Sequence, residues 1–168
     1  MIDRHRLRLG LGLTAAIIAL DQLSKWWIVE RVMQPPRVIP IAPFFNLVMG
    51  WNRGVSFGMF NSETAVAWIF IVLALAIVVF LGRWLRKTER TLVAAALGLV
   101  IGGAICNVID RARFGAVADF LDFHAFGRHW PAFNVADAAI SAGAAFLLLD
   151  ALFDGSRSPK NKGDGTNA

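Results

Sequence analysis

Residues 102–140 read GGAICNVIDRARFGAVADFLDFHAFGRHWPAFNVADAAI. The stretch closes one apolar segment, makes a short polar excursion and opens another. Four aspartates fall within it: Asp110, Asp119, Asp122 and Asp137. Asn107 and Asn134 flank them, and Arg111 follows Asp110. Acids at the ends of such apolar segments are expensive to place near a bilayer, so they are functional candidates from the outset.

Outward from this stretch, the apolar segments have the length of a membrane crossing. Residues 64–81 and 92–109 are two uncharged runs of 18 residues. At ~1.5 Å per residue each covers about 27 Å, close to the ~30 Å hydrocarbon core. The pattern predicts four transmembrane helices, over about 9–29, 64–82, 92–110 and 134–153. Gly98, Gly102 and Gly103 in the third would let another helix approach closely. The start of the chain, with Arg4, Arg6 and Arg8 before an apolar run, has the look of a signal peptide. No small-residue cleavage site follows, however; DQLSKWW does, and the helical pattern continues through it.

Composition agrees. The chain is 57% hydrophobic, against roughly 45–50% apolar in soluble domains. The expected organisation is one integral membrane domain over 1–153 and a disordered cytoplasmic tail over 154–168. The net charge of +5 does not point to nucleic acid, because no basic stripe with interleaved aromatics appears. Cys106 is the only cysteine, so no intrachain disulfide is possible, and its place in an apolar run reads as a small packing residue.

Residues 30–63 have another texture. Pro35, Pro36, Pro40 and Pro43 exclude a long helix. VIPIAPFFNLVMGWNRGVSFGMF at 38–60 alternates β-branched and aromatic runs with glycines. It predicts a small, partly extended β-like platform at the membrane surface, its aromatics suited to lipid tails. Residues 110–132 read as a polar loop in which FLDFHAF, 120–126, is a short interfacial amphipathic segment.

Lysine and arginine set the topology. The amino terminus carries three, the 82–91 loop four (Arg83, Arg86, Lys87, Arg90) and the tail three. The other side carries Lys25, Arg31, Arg37, Arg53, Arg111, Arg113 and Arg128. The density in the short loop decides the orientation. Both termini are then cytoplasmic and the platform is extracytoplasmic. Asp21, Asn52, Asn107, Asp110, Arg111, Asp119, Asn134 and Asp137 would gather at one depth near the outer interface.

Several chemistries drop out. No zinc-type spacing occurs; His5 is terminal, and His124 and His129 are loop residues without partnering ligands, so no metal site is expected. Ser24, Ser56 and Ser141 lack a neighbouring base. Carboxylates remain: two close aspartates share a proton, one takes a proton from water, and the other protonates the carbonyl oxygen or leaving amine. The residues alone offer Asp21, Asp110, Asp119, Asp122 and Asp137. Asp21 has Lys25 four residues on for a structural pair, Asp110 has Arg111 beside it, and Asp122 reads as a solvated loop acid. Asp137 lies within an apolar span, where its structural alternative is a helix-end acid bonded to Asn134.

DQLSK at 21–25, NRGVSF at 52–57, GGAICNVIDR at 102–111, VADF at 117–120 and FNVADAAI at 133–140 resemble, in order and spacing, the motifs of the lipoprotein signal peptidases (signal peptidase II). The resemblance covers about residues 20–150. It implies a catalytic dyad of Asp119 and Asp137, and a supporting set of Asp21, Lys25, Asn52, Asn107, Asp110, Arg111 and Asn134. It also implies removal of signal peptides from bacterial prolipoproteins, before the diacylglyceryl-modified cysteine, without a cofactor. The partners implied are lipidated prolipoproteins and membrane lipid, with the enzyme a monomer in the bacterial inner membrane. The chain departs from the family at Cys106, where Gly is usual, at Ser24 in place of Thr, and at Val55 and Ser56. A small transporter or proton-coupled channel is the competing class. Against it, the acids cluster at one face, and the second and third spans carry no ionisable residue within their runs. A non-enzymatic membrane assembly factor would leave Asp137 without a purpose.

Overall fold

The computed structural model describes residues 3–54 and 63–154. Val55, Ser56 and the tail beyond 154 lie outside the described residues. The chain runs α1 (Arg4–Trp27), a π-helical turn (Ile28–Val32), β1 (Ile39–Ala42), β2 (Phe45–Asn52), α2 (Glu63–Leu85), α3 (Thr91–Phe114), β3 (Val117–Ala125), β4 (Arg128–His129) and α4 (Val135–Asp154). Four of its helices are long and apolar enough to cross a membrane. They match the predicted spans, with α1 beginning earlier and α2 and α3 reaching a few residues further.

Helix α3 packs against α1, α2 and α4. Its sequence explains why: small residues replace the bulk that would hold neighbours away. A methyl group on Gly98 would strike the Gly10 backbone oxygen, and one on Gly102 would come within 3.0 Å of the Thr14 oxygen. A methyl on Gly103 would strike the Ala136 oxygen of α4. Thr14 Oγ1 donates to the Gly98 carbonyl at 3.0 Å across the same seam. Backbone-to-backbone approach of this kind drives helix association where the surroundings are as apolar as the side chains. Below it, Leu81, Leu85, Val93, Ala94, Leu97 and Ile101 form the buried core. The outer faces stay greasy: Trp68, Val72, Phe80, Leu148 and Leu152 are all more than half exposed, as lipid-facing residues would be.

The strands form one antiparallel sheet of order β1-β2-β3-β4 at one end of the bundle. Half of it comes from the expected platform. The other half corrects the reading of 110–132 as a loop, because all of FLDFHAF but its last residue lies in β3, which pairs with β2, Phe45 opposite Phe123 and Gly50 opposite Asp119. Gly115, at φ +70, ends α3 by donating its N–H to Arg111. A left-handed residue there turns the chain directly into β3.

Candidate active site

Three acids of the deciding stretch, Asp110, Asp119 and Asp137, sit where α1, α3, α4 and β3 meet, at the sheet end of the bundle. Asn134 precedes α4. Its Oδ1 accepts from the Asp137 N–H at 2.9 Å, capping the helix. Its Nδ2 donates to Asp119 Oδ1 at 2.6 Å. One fully buried amide therefore ties the start of α4 to the carboxylate of β3. Asn107, on α3, donates from Nδ2 to Asp137 Oδ1 at 2.9 Å. The Asp137 side chain thus bonds to Asn107, while its backbone, not its carboxylate, meets Asn134.

A second cluster lies behind this pair. Lys25 Nζ is 2.8 Å from Asp21 and 2.8 Å from Asp110, and both carboxylates are almost completely buried. The pairing of Asp21 with Lys25 is the one its helical spacing predicts. Asp110 corrects the expectation of a bond to Arg111: adjacent helix residues diverge, so Asp110 turns toward α1 and shares Lys25. Gln22 Nε2 reaches Asp110 at 3.0 Å from the same helix. Both carboxylates also hold backbone. Asp21 accepts from the Ala136 amide at 2.9 Å, and Asp110 from the Ala118 amide at 3.2 Å.

Arg111 points the other way. It donates from Nη1 to the Asn107 carbonyl and lies 5.1 Å from the centre of the Phe70 ring. Its charge reaches Asp137, Asp119 and Asp110. Asn52, exposed at the end of β2, bonds to Asp119. The structure therefore brings together Asp21, Lys25, Asn52, Asn107, Asp110, Arg111, Asp119, Asn134 and Asp137.

Asp122 is not part of that group. Strand neighbours three apart face opposite sides of a sheet, so Asp122 points away from Asp119. It is buried rather than solvated, accepts from Asn46 Nδ2 at 2.9 Å, and pairs with His129 Nδ1 at 2.8 Å. The two histidines read as loop residues lie in strands instead, His124 in β3 and His129 in β4, and their rings stack with centres 4.9 Å apart. Asn46, Gln22 and the Asp122–His129 pair were missed in the sequence; only strand register and helix packing reveal them.

Burial pushes the Asp119 carboxyl up to about 6, and the charge of Asp137 adds to that push. Hydrogen bonds from Asn52 and Asn134 and the charge of Lys25 pull the other way. A carboxylic acid that holds its proton close to neutral pH, facing a second carboxylate, is suited to acid–base chemistry.

Comparison with known proteins identifies the lineage. The family described as Signal peptidase (SPase) II matches residues 13–153. The chain belongs to the signal peptidase II family. It is 47% identical to the lipoprotein signal peptidase of Methylorubrum extorquens over 157 residues, 90% of each chain. It is 43% identical to that of Beijerinckia indica, over 83% of this chain and 86% of the relative. A solved bacterial membrane enzyme superposes with a TM-score of 0.77 at 25% identity, covering 92% of this chain and 94% of the other. As a signal peptidase II this is a bacterial membrane protein and a protease, and the five motifs from Asp21 to Ile140 all fall within the matched region.

Proposed function

We propose that the protein is an aspartic endopeptidase that removes the signal peptide from prolipoproteins, cutting before the lipid-modified cysteine. The observation that carries this reading is the buried link from Asp119 through Asn134 to the amide of Asp137. It ties the carboxyl-bearing strand β3 and the start of α4 to one side chain.

Asp119 carries the shared proton and Asp137 takes the proton of the attacking water. The hydroxide adds to the carbonyl carbon preceding the cysteine, while Asp119 protonates the carbonyl oxygen. Collapse of that intermediate breaks the C–N bond, and the cysteine amine leaves with a proton returned from the dyad. Asn52, Asn107 and Arg111 would orient the peptide backbone. The charge-dense loop at 82–91 and the short arginine-rich amino terminus support a cytoplasmic location for both termini, and hence a site near the outer surface of the inner membrane.

The test is turnover of a lipidated precursor by purified, folded variants. Asp119→Asn and Asp137→Asn keep shape but cannot exchange the proton, so each should lose roughly 10²–10⁴-fold or more. Near wild-type turnover by either would end the assignment. Asp122→Asn, on the opposite face of β3, should keep most activity.

A further inference from the structure

Two asparagines that touch the proposed catalytic carboxyls each lead to an arginine of one cavity. Asn52 bonds to Asp119, and its chain neighbour is Arg53. Asn107 donates to Asp137 at 2.9 Å, and Arg111, one helical turn on, donates from Nη1 to the Asn107 carbonyl at 3.2 Å. Arg53 and Arg111 both line a cavity of about 300 Å³, with Trp68 and Ile71 of α2 and Phe114 of α3 on its other walls. The cavity therefore lies between the start of α2 and the end of α3, next to the carboxyls but outside their own hydrogen bonds. It is far larger than one water needs.

Arg111 is not saturated by its neighbours. Its Nε is buried and has no hydrogen-bond partner among the described residues. A buried donor left in that state calls for an explanation, and a ligand is one. The Phe70 ring beside the guanidinium, at 5.1 Å, supplies no acceptor oxygen. Lys25, the other buried cation of this end, is already taken, at 2.8 Å from both Asp21 and Asp110. The charge of Arg111 reaches Asp137 and Asp119.

Hydrolysis creates an anion at this place. Water adds its oxygen to the carbonyl carbon, the C–N bond breaks, the amine leaves as an ammonium group and the carbonyl becomes a carboxylate. Three carboxyl groups then crowd where two stood, and like charges so close resist ionisation together. Before cleavage the peptide carbonyl needs only a hydrogen bond. After cleavage the new terminus needs a cation, and a guanidinium presents a planar fork of N–H groups that matches a carboxylate.

We propose that the cavity between Arg53 and Arg111 is a product site, which receives the new terminal carboxylate of the severed signal peptide. The inference rests on the reading of the protein as a peptidase. Its consequence is that the released peptide, as an acid, competes with precursor far better than the same peptide as an amide.

The experiment measures binding, without cleavage, to the purified full chain in detergent at neutral pH. The probe is a labelled peptide ending at the residue before the cysteine of a precursor, made once with a free carboxylate and once with a carboxamide. The acid should bind at least about 10-fold more tightly than the amide, the scale of a charged hydrogen bond. Arg111→Gln should erase that preference and leave the amide binding as before. Equal affinity of the two forms in the wild type, or a preference that survives in Arg111→Gln, overturns the proposal. If Arg111→Gln does not fold, Arg53→Gln decides in its place: Arg53 is exposed at the end of β2, the preference should fall several-fold, and an undiminished one overturns the proposal. Inorganic phosphate and phosphatidylglycerol in the micelle separate the possible sources of an anion. Displacement of the acid by either as readily as by unlabelled acid peptide makes the cavity a general phosphate or lipid site and also overturns it. The reaction itself is tested apart, by turnover in Asp119→Asn and Asp137→Asn. Loss of the acid preference with both aspartates still required removes the product site and leaves the peptidase reading standing.

Discussion

Asp21 on α1 accepts a hydrogen bond from the backbone amide of Ala136, the residue before Asp137, at 2.9 Å. Asp110 does the same for Ala118, the residue before Asp119, at 3.2 Å. Two acids that do no chemistry in the proposed mechanism thus each hold the backbone next to one that does. Lys25 joins them.

Removing Lys25 should therefore be severe. Lys25→Met leaves two buried carboxylates facing each other without a counter-charge, a loss of about 3–5 kcal/mol by analogy with broken buried ion pairs. The thermal midpoint of the purified protein in detergent measures it. Asp21→Asn keeps an acceptor for Ala136 and should be milder than Asp21→Ala. An unchanged midpoint in Lys25→Met would show that the cluster is not what holds α1 to α3.

Asn134 has two separable duties. Asn134→Ala loses the cap, worth about 0.5–2 kcal/mol, together with the bond to Asp119. Asn134→Ser restores an acceptor for the Asp137 amide but offers no amide donor to Asp119. Stability should return in the serine variant while turnover stays low. Recovery of both together would mean that only the cap matters.

The raised Asp119 carboxyl predicts two pH effects. Because its folded value lies near 6, above the ordinary 3.8, the native state holds a proton that the unfolded chain releases. The associated stability is complete below about pH 4 and is lost as pH rises through 6. Asp119→Asn should flatten that part of the stability profile. For the wild type, kcat/KM should fall on the alkaline side as the shared proton is lost, since this ratio follows the free enzyme. A kcat/KM that keeps rising from pH 6 to 9 would contradict a protonated partner.

The glycine seam is open to a structural test away from the carboxylates. Gly98→Ala places a methyl against the Gly10 backbone, and backbone cannot swing aside as a side chain can. The helices must separate, at a cost of at least about 1–3 kcal/mol. Gly12→Ala, with nothing within 4 Å of the added carbon, is the matched control and should be neutral or slightly stabilising. Comparable thermal midpoints in the two variants would remove the close approach as a stabilising feature.

Orientation can be read by labelling. In a Cys106→Ala background, Arg37→Cys should react with an impermeant maleimide from outside the cell and Glu89→Cys only after the membrane is opened. The reverse pattern would invert the protein and put the carboxylates on the cytoplasmic side.

The helices were legible because uncharged runs of this length have few alternatives, and the Asp21–Lys25 pair because four residues make one helical turn. Asp110 was read wrongly for a related reason. Proximity in sequence suggested Arg111, while on a helix adjacent side chains diverge. The platform was half legible. Residues 38–52 announce strand through prolines, β-branched residues and aromatics, whereas FLDFHAF becomes a strand only by pairing with residues far away. The same pairing hides Asp122: its burial comes from Asn46 across the sheet, and no local pattern encodes a partner 76 positions distant. The approach of α3 to its neighbours was foreseen from its glycines, but which oxygen each one meets depends on packing that composition does not contain.

The pairing of Phe45 with Phe123 spans 123 − 45 = 78 positions, and this sets an order of events during synthesis. At ~5–20 residues per second, β2 waits about 4–16 seconds for its partner strand to leave the ribosome. Two helices must enter the bilayer in that interval. Asp137 arrives later still, at the head of the last helix. The newborn chain therefore passes most of its synthesis without a completed pair of carboxylates.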